Sequence, residues 1–326
     1  MTFIPGFRFR WSAAAAALAL LASGPAWAER AYVTNYNDDT VTVVDVSTRR
    51  VLGTIQVGDG PRGVAISPDG SRVFITNFLA DTVSVIDTVA LSVITVLPVG
   101  DKPKGLALSP DGSRLFVTNV GSPFLSRFSL TDYAADGDWQ TALGSQGVAT
   151  AHDGSAVFVA ETAEDLVTRI ELDTSARRTT TVGSGPIAIA VSPDGRWVLA
   201  GNNQSHSISV VDAGSGLAVA TLPVGEYPIH LAFSPAGDRA YVTNNKSATV
   251  SVIDMETLTL ADTFPTVPAP VGVAVTANGE ELWVASNTGD VIQVLATKDG
   301  TVLAEIATGA APMAFGVFIG PDPAGL

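Results

Sequence analysis

A proline preceded by a turn residue recurs along the chain, at Gly60-Pro61, Lys102-Pro103, Gly185-Pro186, Tyr227-Pro228, Ala269-Pro270 and Ala311-Pro312. The degenerate pair Ser145-Gln146 fills the open slot, and the spacing is 42 residues throughout except for a single 41. A unit of this length does not bury its own apolar face alone. It stacks against copies of itself, and the whole chain is constrained to a repeat architecture.

The unit that begins at Gly60 shows what is repeated. Val64-Ala65-Ile66 is a short apolar run, Pro68-Asp69-Gly70 a turn, and Arg72-Val73-Phe74-Ile75-Thr76-Asn77 a second run. Thr82-Val83-Ser84-Val85-Ile86-Asp87 alternates apolar and polar residues, and residues 93–99 form a fourth run. Proline sets φ and glycine supplies positive φ in the turn, and period-two alternation marks a strand. Four short antiparallel strands per unit make one blade of a β-propeller. The repeated Asn that ends the second strand and the repeated Asp that closes the third (Asp45, Asp87, Asp212, Asp254) are read as scaffold. Such side chains bond nearby backbone groups, and an active site occurs once rather than in every blade.

Six units lie between Gly60 and Ala310. The remaining pieces are three strands from the N-terminal side, beginning at residues 31–35, and one first strand over residues 313–319. Together they predict a seventh blade, an all-β ring closed by pairing the two ends of the chain, which removes two exposed sheet edges.

Arg8 and Arg10, an apolar stretch over residues 12–22 and the small-x-small triplet Ala26-Trp27-Ala28 read as a secretory signal over residues 1–28. The expectation is a periplasmic or secreted single domain over residues 29–326, monomeric, with no transmembrane span after cleavage. Removing Arg8 and Arg10 from 18 basic residues leaves 16 against 32 acidic, a net charge of −16. That field disfavours sequence-independent nucleic-acid binding. The absence of cysteine excludes disulfides, Cys-ligated zinc, iron–sulfur clusters and a covalent c-type haem.

Tyr32-Val33-Thr34-Asn35 and Tyr241-Val242-Thr243-Asn244, with the turns Ser67-Pro68-Asp69-Gly70, Ser109-Pro110-Asp111-Gly112 and Ser192-Pro193-Asp194-Gly195, carry a resemblance to the YVTN-repeat seven-bladed β-propellers. The resemblance covers the expected mature chain and implies the fold. Members of that group look like surface-layer proteins, exported binding proteins, and relatives of lactonases and quinoprotein-associated propellers, and fold does not choose among them.

Function is therefore sought where residues break the repeat. The position after the Pro-containing turn reads Arg62, Lys104, Gln146, Ile187, Ile229, Val271 and Met313 around the ring. One sector is polar and cationic and the other apolar, which suits an anionic small molecule or an acidic loop. The next position is small in every blade except at His230. His230 with His206, assisted by Glu226 and Tyr227, is a candidate divalent-metal or acid/base pair. Glu161, which replaces the repeated Asn, and the irregular residues 122–142 mark a second departure. No Gly-x-Ser-x-Gly, Gly-x-x-x-x-Gly-Lys or His-Glu-x-x-His motif occurs. The reading favours a non-catalytic scaffold that binds a protein or small ligand at the channel face, through Arg62, Lys104, Gln146, Glu161, Tyr227 and His230. The alternatives are a metal-assisted lactonase-type hydrolase and an accessory of a periplasmic quinoprotein or other redox system.

Overall fold

The computed structural model describes residues 28–323; the segment read as a signal lies, apart from Ala28, outside the described residues. Seven antiparallel sheets follow one another around a ring. The blade after the closing one is representative, with strands Pro61–Ile66, Arg72–Asn77, Thr82–Asp87 and Ser92–Pro98 running from the axis outward. The next three innermost strands are Pro103–Leu108, the short Val148–Thr150 and Pro186–Val191. Pro228–Phe233 and Pro270–Val275 complete the innermost set of the regular blades.

Burial follows from each strand's place in the blade. The two middle strands are covered on both faces by neighbouring blades, so Arg72–Asn77 is buried at every residue after the first. The outer strand Ser92–Pro98 alternates with solvent until Leu97. The core consists of apolar layers between blades. Tyr32, Val43, Val73, Ile86 and Trp283, drawn from three consecutive blades, are fully buried in one such layer. Residues 122–142, read as irregular, form a strand pair, Phe124–Ser129 with Ala135–Gln140, whose ladder shifts register between Ser126 and Phe128.

The four letters of the repeat motif have separate tasks. Tyr32 and Val33 are buried core side chains. Asn35 Nδ2 donates to the hydroxyls of Thr40 and Thr42, at 3.0 and 2.8 Å, and so ties its strand to the next within the blade. Thr34 reaches the other way: its hydroxyl donates to the Arg62 carbonyl of the neighbouring blade at 2.9 Å. Thr76 does the same to Lys104 at 3.0 Å and Thr243 to Val271 at 2.8 Å. Threonine is thus the stitch between blades, and asparagine the stitch within one.

The ends close the ring as expected. Glu29–Asn35 pairs with Thr40–Asp45 on one side and with Ile319–Pro321 on the other. Arg30 Nε and Asp322 Oδ2 form an ion pair at 2.9 Å, both largely buried, and the Arg30 guanidinium also donates to the Thr88 carbonyl of the next blade at 2.8 Å.

The expected continuous first strand over residues 313–319 is not what forms. In the regular blade Pro61 faces Asn77 and Ile66 faces Val73, five residues apart. In the closing blade Pro312 faces Asn35 and Ile319 faces Ala31, seven residues apart. Two extra residues are present between the same two anchor points. The surplus is pushed out of the blade, and Phe315–Gly316 pairs in parallel with Gly63 and Val64 of the next blade. Backbone φ is +46° at Ala314 and +98° at Gly316, a strained value for the alanine. The extruded segment lies against the innermost strands of three different blades, and so occupies the axis of the ring.

Candidate functional site: the cationic sector of the channel

The turns that precede the innermost strands share one face with the loops after the second strands. The Phe78 amide donates to the Gly60 carbonyl at 2.9 Å, Asn245 to Tyr227 at 2.9 Å and Asn287 to Ala269 at 3.1 Å. Arg62, Lys104 and Gln146 follow those turns, at the mouth on that face.

Arg62 is held between two rings. Its guanidinium carbon is 3.8 Å from the Phe78 ring centre and 4.8 Å from that of Tyr36. Its Nε is buried without a hydrogen-bond partner. Lys104 Nζ donates to Gln146 Oε1 and lies 4.7 Å from the centre of the Phe315 ring. Neither cation has a carboxylate partner among the described residues. Burial draws the Lys104 ammonium down to about 7, and the Arg62 charge adds to the effect. Burial lowers Arg62 too, from its ordinary value. Both side chains keep some contact with water at the channel wall, but protein surrounds them.

His230 closes the opposite wall. Its Nε2 is 2.7 Å from the Gly316 amide and its Nδ1 is 3.3 Å from the Val273 amide. Its ring meets Phe315 edge-on with centres 6.0 Å apart. A neutral imidazole has one bare nitrogen to offer an N–H group, and a protonated one has none. Burial pushes His230 down to about 4, the Val273 contact opposes this and the Lys104 charge reinforces it. A cavity of about 50 Å³ lies between Lys104, Gln146, Ile187, Ile229, His230 and Phe315.

The other candidates are elsewhere. His206 has φ +54°, and its Nδ1 accepts the Tyr227 amide at 3.2 Å. Asp39, Asp81, Asp165 and Asp290 do the same for Gly60, Lys102, Gly185 and Ala311, at 2.7–2.8 Å. His206 therefore stands at a repeat position where other blades use aspartate to cap the following turn. Its ring packs on exposed Tyr227, centres 5.3 Å apart, and Lys246 lies nearby, paired with Glu226 at 3.0 Å. His206 and His230 thus have different partners. Glu161 is buried at the repeated Asn position, 3.4 Å from the Ala142 amide. Among the described residues no group of three or more His, Cys, Asp or Glu side chains is placed to hold a metal ion, and no helix is long and apolar enough to cross a membrane.

The family described as YNCE-like beta-propeller matches residues 10–320. The chain belongs to that family. No curated protein sequence matches it. Among solved structures, the chain is similar to a functionally unknown protein from Desulfotomaculum acetoxidans, with TM-score 0.78 and 17% identity over 88% of this chain and 99% of that one. It is also similar to hydrazine synthase from Kuenenia stuttgartiensis, with TM-score 0.75 and 21% identity over 82% and 92% of the two chains. A third similarity is to dihydro-heme d1 dehydrogenase NirN in complex with DHE, with TM-score 0.65 and 18% identity over 93% and 76%. At these identities the likeness is one of fold.

Two features of this YNCE-like propeller escape a reading of its sequence. Tyr36 and Phe78, which sandwich Arg62, are the residues just after the repeated Asn in two successive blades; an aromatic at both places was the available signal. Phe315 gave none, because residues 312–319 are apolar like any innermost strand.

Proposed function

We propose that this chain is an exported, non-catalytic propeller scaffold that binds a small anionic ligand, a carboxylate, at the cationic sector of its channel. One observation carries the reading: Arg62 and Lys104 share a channel mouth and neither is in an ion pair among the described residues. Taking a charge out of water without a partner costs several kcal/mol. Aromatic faces return only part of that, on the order of 0.5–2 kcal/mol each. A carboxylate would supply the missing counter-charge to the guanidinium and the ammonium. Gln146 orients Lys104, and His230 and the isoleucines Ile187 and Ile229 form the wall that a short apolar tail would touch.

The test is a thermal-shift titration of the mature protein with lactate, succinate and inorganic phosphate. A rise in melting temperature with at least one of the carboxylates is expected for the wild type. It should be lost in the Arg62→Glu, Lys104→Glu double variant. An identical response of the two proteins would remove the proposal.

A further inference from the structure

Four lysines occur in the chain: Lys102, Lys104, Lys246 and Lys298. Only Lys104 opens on the channel cavity, against Phe315, Ile187 and Ile229. A lysine in an apolar recess beside a second cation is the arrangement in which the free amine persists near neutral pH and acts as a nucleophile. Among the described residues the charged and titratable groups that face it are Arg62 and His230, and no carboxylate is among them.

We propose that Lys104 captures a small 2-oxo acid as a reversible imine, with Arg62 holding the carboxylate. This rests on the anion-binding reading above and names its ligand class. The chemistry balances within the site. The Lys104 nitrogen lone pair forms a bond to the ketone carbon, and the carbonyl π pair moves to oxygen. One amine proton passes to that oxygen, giving a carbinolamine. The nitrogen then forms its second bond to carbon as the C–O bond breaks. The oxygen leaves as water carrying both protons of the amine. No oxidant, reductant or metal is consumed, and hydrolysis reverses the step.

The recess fits this class better than a bulky ligand. Its volume of about 50 Å³ has room for a few heavy atoms, the ketone end of the ligand, and Arg62, which does not line it, would meet the carboxylate outside the recess. Gln146 Oε1, which accepts from Lys104 Nζ, fixes the amine at the cavity wall. Among the described residues no carboxylate lines the recess, so Lys104 is suited to capture rather than to carrying a bound imine onward.

The experiment is borohydride trapping. The mature protein is incubated with pyruvate, reduced with sodium borohydride, digested and mapped by mass spectrometry. The expected result is one reduced adduct on the peptide containing Lys104, formed at least tenfold faster at pH 7.5 than on Lys102, Lys246 or Lys298. The rate should rise with a midpoint near about 7. Lys104→Arg should remove the adduct, and Arg62→Gln should cut trapping of pyruvate by a larger factor than that of propionaldehyde, which has no carboxylate and loses only the effect of the Arg62 charge on the amine. The pH profile is read on the wild type and so stands even if a variant fails to fold. No adduct on Lys104, or equal labelling of all four lysines, overturns the imine. If lactate still stabilises the protein in that case, the anion-binding reading survives without it. If propionaldehyde is trapped at Lys104 but pyruvate is not, and neither lactate nor succinate has an effect, both the 2-oxo-acid class and the anion-binding reading fall.

Discussion

The repeat motif acts through single atoms. The Thr76 hydroxyl accepts the Gly63 amide at 2.7 Å while it donates to Lys104 of the next blade. Changing Thr76 to Val keeps the shape and leaves a buried N–H without a partner. The expected cost is about 1–3 kcal/mol, read as a lower urea midpoint with an unchanged slope. The equivalent residues Ala160, Gly201 and Ala285 show that the ring tolerates the loss in some blades. The Thr was visible in the sequence as a letter of the motif, but its target was not, because the carbonyl it reaches belongs to a different blade. His230 has its own signature at this scale. Its value in the folded chain, about 4, lies below the 6.5 of an unperturbed ring. As pH falls the unfolded chain takes the proton first, so stability is whole above about 6.5 and declines toward about 4. Melting curves over that interval should fall more steeply for the wild type than for His230→Gln.

At the scale of strands, position in the blade explains most of what the sequence shows. Alternation survives only in outer strands, and Gly63, Gly105, Gly147 and Gly272 are small for a geometric reason. A Cβ at any of them would come within 2.2–2.7 Å of a carbonyl oxygen of the neighbouring innermost strand or its equivalent. Crowding at the axis was readable; the two surplus residues of the closing strand were not. Period counting located Pro312 correctly, and the surplus appears only when the pairing partners at both ends of that strand are compared. The extruded Phe315 shields Lys104 from water. Phe315→Ala should therefore move the Lys104 titration upward from about 7 toward the ordinary lysine value, because desolvation is the larger cause of its depression. The midpoint of amine modification against pH measures this.

For the whole molecule, closure depends on a few residues. The termini contribute one strand pair, the Arg30–Asp322 ion pair and backbone hydrogen bonds that include the Asp322 N–H donating to the Ala28 carbonyl at 2.7 Å and the Tyr32 N–H to the Phe318 carbonyl at 2.8 Å. Removing the chain after Ala311 would open the closing blade, expose two sheet edges and strip the buried Phe318 and Ile319 from the core. A fall in melting temperature well beyond that of any single substitution is expected, and an unchanged curve would contradict the closure. This level was the most legible. A repeat of fixed length, split so that its two incomplete ends sum to one unit, has a single economical closure. The contents of the channel were the least legible, because seven blades meet there and each residue's surroundings come from distant parts of the chain.

The closing pairs also determine the order of assembly. Ala31 meets Ile319 across almost the full length of the propeller, whereas strands within a blade meet their partners a few residues away. Local blades can form early, while the contact that makes them a ring belongs to the slow, non-local class. Until it forms, the molecule is an open arc, with an unpaired edge at Glu29–Asn35 and a sheet face waiting at the other end. A second chain in the same state presents the matching halves. Folding at high concentration therefore sets intramolecular closure against exchange of the last strand between chains, and dilution during refolding favours closure within one chain.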